Sequence, residues 1–444
     1  LQLPDHLHGL TPCDLAPNHI FSMIASKIDT QPSLRRCEIK PYTGIAMAMK
    51  DTDVEIRGDS LEGRTILLGV SGGIAAVDTV RLARELRRHG ALVKVMMTHS
   101  AQKIISPLAI EWATQTEVIT DWESDLSALD EVDGILIAPA TRDLIASYLH
   151  GLQHGPILMA LSAARSRKTP VLMIPSMHSD LAKDPVTEDL VDEIRKHSIG
   201  VHWGAEEEGK RKTPPHQEIV ARFANFINSK KSARKSVVIT LGATRSPIDD
   251  VRFIQNYSSG ATGYLIADYL FRHGHDVTCV RGVTSVLQPS WLDLVIPAEQ
   301  PKTMLKELLA ISNDKIDAWI HSAAVLDYVI DKPAEGKLAS QQGPLNIQLT
   351  ESPKHILALR EKCQNAVRIG FKLESGIKQK ELIRRAVAQI EYAKMSAVIA
   401  NRLEDLTDQT KPRGYLVDKT GADYTLQKEL DMCIAIRTIV ERGN

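Results

Sequence analysis

The run Pro247-Ile248-Asp249-Asp250-Val251-Arg252-Phe253-Ile254-Gln255-Asn256-Tyr257-Ser258-Ser259-Gly260 sets two carboxylates, a guanidinium, two amides and three hydroxyls ahead of a glycine. It follows an apolar, strand-like segment, 237–240, and the small-residue loop 241–246. It then opens an amphipathic helix, 262–273, in which Leu265, Ile266, Tyr269 and Leu270 recur at helical spacing. A strand, a loop and a helix N-terminus in that order present backbone N–H groups and a positive dipole end to an anion. The chemistry this suits is the gripping of a phosphate, in a nucleotide-binding unit of the doubly wound kind.

The elements that must position such loops recur along the chain. Strands are predicted over 65–70, 92–97, 134–138 and 170–174, with a helix from Ile74 to about His89 after Ser71-Gly72-Gly73. A second series of strands is predicted over 237–240, 275–280, 318–322, 366–371 and 397–401. Strands alternating with helices imply parallel sheets, and ligands of such sheets bind beyond the strand C-termini, where the distinctive loops fall. Residues 1–61, rich in Pro, His and Asp, read as a weakly determined extension. The charge runs at 206–212 and 230–235, with one short helix between them, read as solvated linker, so 205–235 is predicted to separate a unit over 62–204 from one over 236–444.

With 444 residues the chain is long enough for about two or three domains, and 43% apolar with 25% charged residues is globular composition. A formal net charge of −1 excludes a general polyanion-binding surface, so no nucleic-acid partner is expected. No apolar run approaches the roughly 20 residues that cross a bilayer, and no signal peptide is visible, so a cytoplasmic location without membrane attachment is expected. Because the chain opens on Leu1 rather than Met, its start is expected upstream. The five cysteines are scattered and never paired as C-x-x-C, which indicates neither a disulfide framework nor a zinc site.

The run at 247–260 resembles the phosphopantothenate–cysteine ligase signature, PID-x-VR-x-I-x-N-x-SSG, at every fixed position. The resemblance implies that Asn256 handles an acyl-nucleotide intermediate and that Ser258, Ser259 and Gly260 hold a phosphate. His321-Ser322-Ala323-Ala324-Val325-Leu326-Asp327 is similar to the family's AAV-x-D segment, so Ala323 would contact the base and Asp327 would bind the nucleotide or a magnesium ion. Glu335-Gly336-Lys337-Leu338 is similar to its E-x-K-I segment, which makes Lys337 the group stabilising phosphoryl transfer. Pro353, Lys354, His355 and Ile356 match a triphosphate-binding turn. Phe371 would stack on the base, although ordinary core packing also accounts for it, Lys372 would face phosphate, and Lys394 stands near the family's basic position before the last strand.

The first unit resembles the FMN-binding cysteine decarboxylase family, usually GVTGSIAA where this chain has Gly69-Val70-Ser71-Gly72-Gly73-Ile74-Ala75-Ala76. By that resemblance Gly72, Gly73 and Ile74 approach the FMN phosphate, Thr98 adds a hydroxyl, and Pro139, Ala140 and Thr141 meet the ribityl or ring end. The family's histidine is absent: counting back eight residues from Asp133 reaches Asp125, which also reads as a helix N-cap. His178 replaces the P-A-M-N asparagine and Lys210 lies in an E-E-G-K segment, as in archaeal members, which makes these two the expected substrate-gripping pair. Arg142-Asp143 departs from the family's Ala-Asn.

Together the two stretches resemble the bifunctional coenzyme A biosynthesis family, implying two tandem doubly wound, Rossmann- or flavodoxin-like α/β domains with mostly parallel sheets. The implied chemistry is CTP-dependent joining of 4′-phosphopantothenate to cysteine through an acyl-cytidylate, then FMN-dependent decarboxylation of the product to 4′-phosphopantetheine. A homo-oligomer, up to a dodecamer, is implied as well. The alternative is a ligase whose first domain is structural or regulatory, which Asp125 favours. An NAD(P)-linked oxidoreductase lacks its G-x-G-x-x-G after either first strand.

Overall fold

The computed structural model describes residues 51–121, 130–340, 343–408 and 410–443. Asp125 and the first fifty residues of the expected extension lie outside the described residues. The first unit contains β1 (Thr65–Val70), β2 (Leu92–Met97), β3 (Val118–Ile119), β4 (Gly134–Ala140), β5 (Val171–Pro175), β6 (Met177–His178), β7 (Gly200–Val201), β8 (Glu206–Glu207) and β9 (Lys210–Arg211). Six of these form a parallel sheet in the order β3-β2-β1-β4-β5-β7, while β6, β9 and β8 form a small separate sheet. Strands such as Thr65–Val70 are apolar without alternation because helices cover both faces. Leu68, Val70, Leu82 and Leu86 pack on one side, and Ile135, Ile137, Leu144 and Leu161 on the other.

The second unit contains β10 (Ser236–Leu241), β11 (Arg245–Pro247), β12 (Phe253–Gln255), β13 (Asp276–Arg281), β14 (Val295–Pro297), β15 (Ala318–His321), β16 (Tyr328–Ile330), β17 (Leu349–Glu351), β18 (Val367–Glu374), β19 (Ala397–Arg402), β20 (Gly414–Val417) and β21 (Asp423–Leu426). Its main sheet runs β14-β13-β10-β15-β18-β19-β20-β21, parallel as far as β19 and antiparallel over its last two strands. Two hairpins, β11–β12 and β16–β17, stand apart from the sheet. The nine predicted strands are present within a few residues of their expected ends. The helix expected from Ile74 starts instead as a 3-10 turn, Ile74–Asp78, before the α-helix Thr79–Arg88.

The stretch 205–235, expected as solvated linker, is structured. It forms β8, β9 and the helix His216–Asn228, whose Ile219, Val220, Phe223, Ala224 and Ile227 are buried in the first core. The one short helix expected here is present, and the charge runs flank it without interrupting its apolar face, which packs in the first core instead of standing in a solvated linker. Gly134 permits the contact, since a Cβ there would lie 3.0 Å from the Phe223 ring. The same helix meets the second unit: Asn225 Nδ2 donates to the Phe271 carbonyl at 2.7 Å, and Asn228 Nδ2 donates to the carbonyls of Arg272 at 2.9 Å and Ser60 at 2.8 Å.

Residues 51–61, assigned to the loose extension, are also held. Leu61 is buried in the first core, whereas the Asp59 carboxylate reaches the second unit. There it accepts from Tyr269 Oη at 3.1 Å and lies 3.2 Å from His273 Nε2 and 3.4 Å from Arg437 Nη1.

Two stability measurements follow from this packing. Phe223→Ala removes a fully buried ring from the first core, and thermal or denaturant unfolding should show a loss of about 3–5 kcal/mol. Burial, with the nearby Arg368 and His355, pushes the pKa of His321 down to about 3. Between that value and the ordinary 6.5 the unfolded chain binds a proton that the folded chain refuses, so stability rises with pH across the window. Acidification from pH 6.5 towards 4 should cost at most about 1.4 kcal/mol per pH unit from this group, and His321→Phe should flatten that slope.

Candidate active sites

The first site lies at the C-terminal ends of β1, β2 and β4. Ser71 binds two of its loops together: its Oγ donates to the Pro139 carbonyl at 2.7 Å and accepts from the Thr141 N–H at 2.9 Å. Gly72 is required by crowding, since a Cβ would come within 2.3 Å of Ser100 Cβ, and Gly73 faces Pro139 and Thr141. Thr98 Oγ1 accepts from the Ala101 N–H and Thr141 Oγ1 from the Leu144 N–H, so each caps a helix and keeps its hydroxyl proton to donate. Gly72, Gly73, Ile74, Thr98, Pro139, Ala140 and Thr141 are thus brought to one end of one sheet. Ile74 is exposed there, and Ala140 is fully buried.

His178 and Lys210 are opposed in the antiparallel pairing of β6 with β9, which puts their side chains on the same face. Glu206, opposite Arg211 in the same small sheet, accepts from Lys183 Nζ at 2.7 Å and Ser179 Oγ at 2.9 Å, and these partners hold its carboxyl below the usual range. Arg142, next to Thr141, is ion-paired with Asp184 and donates to Thr187 Oγ1 at 3.4 Å. Ser71 and this Arg142–Asp184 pair carried no expectation of a role. No short-range signal marks them, because their partners lie 68 to 70 and 42 residues away.

The second site is built where β10 ends. Gly242 and Gly260 both adopt left-handed backbone, with φ of 78° and 80°. A Cβ on Gly242 would lie 2.6 Å from the Val283 carbonyl, and one on Gly260 would lie 2.5 Å from Thr284 Cγ2. Gly260 is the N-cap of the helix Ala261–Arg272, so the amides of that first turn face the end of the sheet. Asn256 Nδ2 donates to the carbonyls of Ala324 at 3.3 Å and Val325 at 3.0 Å, which ties the 247–260 run to loop 323–327 and leaves Oδ1 able to accept. The Ala323 N–H donates to Thr240 Oγ1 at 3.2 Å, so its carbonyl is the backbone group left to meet a base. Thr244 Oγ1 accepts from the Leu326 N–H at 2.9 Å and completes the bracing.

Asp327 and Lys337 are exposed on loops beyond the sheet. No cluster of three metal-ligating residues occurs among the described residues, so Asp327 offers a lone carboxylate. Lys372 already pairs with Glu374 at 3.1 Å, and Phe371 is partly buried against the main core.

Two expected nucleotide contacts stand elsewhere. His355 is only 5% exposed and turned into the protein, and the helix it opens, His355–Ala358, is a single turn with little dipole. Pro353 and Lys354 are exposed and Ile356 is partly buried. Lys394 precedes the N-terminal end of β19 and pairs with Glu361 at 3.3 Å. Gly370, opposite His321 in the register, pairs with Val398. Lys394 therefore sits at the far end of a parallel sheet whose ligand loops gather at the C-terminal ends, and motif order along the chain carries no information about which end that is.

Residues 55–228 match the family described as Flavoprotein, and residues 232–440 match that described as DNA/pantothenate metabolism flavoprotein C-terminal domain. The chain is 35% identical over 352 residues to the coenzyme A biosynthesis bifunctional protein CoaBC of Thermococcus kodakarensis, covering 78% of this chain and 86% of the relative. Identity to the protein of the same description from Methanocaldococcus jannaschii is 31%, covering 77% and 84%. A crystal structure of the C-terminal domain of a CoaBC protein aligns with 48% of this chain and 97% of its own length, at 24% identity and a TM-score of 0.40. With 35% identity to the Thermococcus kodakarensis relative over 78% of this chain, the chain belongs to the family of bifunctional coenzyme A biosynthesis proteins, CoaBC.

Proposed function

We propose that the second unit joins 4′-phosphopantothenate to cysteine at the expense of CTP, and that the first unit decarboxylates the product with FMN. The observation that carries the ligase reading is the Asn256 bridge, which sets the Ser258-Ser259-Gly260 turn beside loop 323–327. The first-turn amides of the helix Ala261–Arg272 suit the triphosphate, and the Ala323 carbonyl suits the exocyclic amino group of cytosine. Asp327 suits a magnesium ion that arrives on the phosphates, because such ions keep several waters and need few protein ligands.

A substrate carboxylate oxygen then attacks the α-phosphorus and the bond to pyrophosphate breaks. Lys337 balances the charge that gathers on the phosphoryl oxygens. The cysteine amine attacks the acyl carbon, losing a proton as the amide forms, and CMP leaves with the carboxylate oxygen. Asn256 Oδ1 is free to accept from that amine.

In the first unit the Gly73 N–H closes the turn onto the Ser71 carbonyl at 2.8 Å, which leaves the amides of Gly72 and Ile74, with the Thr98 and Thr141 hydroxyls, to fit the phosphate and ribityl groups of FMN. FMN supplies the electron acceptor for oxidative decarboxylation. His178 and Lys210, side by side on β6 and β9, suit the substrate carboxylate before it is lost. Ile74, Val77 and Leu108 are exposed, as is Tyr257 in the second unit, which supports a homo-oligomer that covers these apolar surfaces. No helix among the described residues is long and apolar enough to cross a membrane, and the reading places the enzyme in the cytoplasm with small-molecule substrates.

Purified protein given CTP, phosphopantothenate and cysteine should release CMP and pyrophosphate, and Lys337→Ala should slow this about 100- to 1,000-fold; an unchanged rate removes Lys337 from the mechanism. Flavin absorption of the purified protein, with carbon dioxide release from 4′-phosphopantothenoylcysteine, tests the first unit. Bound flavin without carbon dioxide supports instead a ligase with a structural first domain, the reading that the sequence at Asp125 favours.

A further inference from the structure

Among the described residues, no hydrogen bond or ion pair joins residues 247–252 to the Ser258-Ser259-Gly260 turn. The contacts of 247–252 run instead to loop 331–338, which carries Lys337. The Ala334 N–H donates to the Ile248 carbonyl at 2.9 Å, and the Asp250 N–H donates to the Gly336 carbonyl at 3.4 Å. The Leu338 N–H donates to Asp249 Oδ2 at 3.1 Å, and Arg252 Nη2 donates to the Leu338 carbonyl at 2.5 Å. These four tethers flank Lys337 on both sides, and all end within 248–252.

Asp249 is the centre of this arrangement. Its side chain is buried, 3% exposed, and its two oxygens divide their work. Oδ1 accepts from the N–H groups of Val251 at 2.8 Å and Arg252 at 2.7 Å, shaping its own turn. Oδ2 accepts from Leu338, 89 residues away, and pairs with the Arg252 guanidinium at 3.0 Å. Burial opposes ionisation, but the three amides and Arg252 outweigh it and hold the carboxyl below the usual carboxylate range. Lys337 is exposed, in no ion pair among the described residues, and follows Gly336 with φ of 72° and open space around it. A lysine on such a loop stands in a fixed place only if its neighbours are held.

We propose that Asp249 is a positioning residue for the ligation, fixing the Lys337 ammonium relative to Asn256 and the Ser258-Ser259-Gly260 turn through its grip on the Leu338 amide. The proposal rests on the assignment of Lys337 to phosphoryl transfer. It gives the 247–260 run two tasks: one half grips the phosphate and the other holds the cation that must meet it.

Asp249→Asn separates the two oxygens. The amide oxygen can still accept from Val251 and Arg252, while an NH2 in place of Oδ2 presents hydrogens to the Leu338 N–H and to the guanidinium. In the full-length protein, assayed by CMP release, kcat should fall about 10- to 100-fold while the KM for CTP stays near its original value. Amide exchange over 334–340 should quicken in this variant while that of β10 does not. The double variant with Lys337→Ala should be no slower than Lys337→Ala alone, because Asp249 acts only through the lysine. If Asp249→Asn does not fold, Leu338→Pro removes the same hydrogen bond from its other end and should give the same loss of kcat.

Wild-type kcat in the Asp249→Asn protein, or in Leu338→Pro where only that variant folds, overturns the proposal and leaves Lys337 in place. So does a double variant whose losses multiply. Wild-type kcat in Lys337→Ala overturns the underlying assignment, and the proposal falls with it.

Discussion

The second site depends on a steric constraint: three backbone segments must pass closer than side chains allow. Gly242 ends the first strand of the sheet, Gly260 begins the helix, and residues 283–284 press against both. Only residues without a Cβ, free to take positive φ, can stand at those two points. Because they do, the helix Ala261–Arg272 starts level with the end of β10, with the Ala261 N–H capped by Ser259 Oγ at 3.3 Å and the rest of its first turn open at the end of the sheet. The paired backbone bonds between Ala243 and Val283, at 2.9 and 2.7 Å, and the bond from Thr244 N–H to the Ala324 carbonyl at 3.1 Å hold the neighbouring loops to the same plane. Asn256 can bridge to loop 323–327 only because this plane already exists.

The first site reaches a similar end with a different device. Gly72 allows the loop after β1 to touch the loop after β2, but cohesion comes from the Ser71 hydroxyl, which serves the loop after β4 as donor and acceptor at once. Ile74, Asp327 and Lys337, expected to touch a ligand, are exposed, whereas groups that hold the loops in place are buried. Asp249 and Thr244, each at most 3% exposed, illustrate this in the second unit, and Ser71, at 1%, in the first.

What was legible in the sequence follows from range. Strands such as Thr65–Val70 and Ser236–Leu241 announce themselves because both faces are covered and the apolar run is unbroken. The glycine-bearing loops after β1 and before the helix Ala261–Arg272 are local, so their glycines and the helix that follows could be read directly. The helix His216–Asn228 was legible as a short helix between two charge runs, but not its place in the first core, because its partners such as Gly134 lie far off in sequence. His355 and Lys394 matched expected positions along the chain but not in space: one is turned inward and the other is at the wrong end of the sheet. The partnership of Asp249 with Leu338 spans 89 residues, and no pattern within a window of the sequence could report it.

The helix His216–Asn228 and the residues around Asp59 have a consequence for how the chain can be divided. Each half lends a piece to the other: the helix fills the first core yet rests on Phe271 and Arg272, and Asp59 comes from the N-terminal side yet serves Tyr269, His273 and Arg437. A cut at residue 204 strips the first half of Phe223, and expression of the second half alone leaves the Tyr269 hydroxyl and His273 without their carboxylate. The clasp works in both directions. A gene fission that restored two separate enzymes would therefore have to rebuild two surfaces as well as sever one peptide bond.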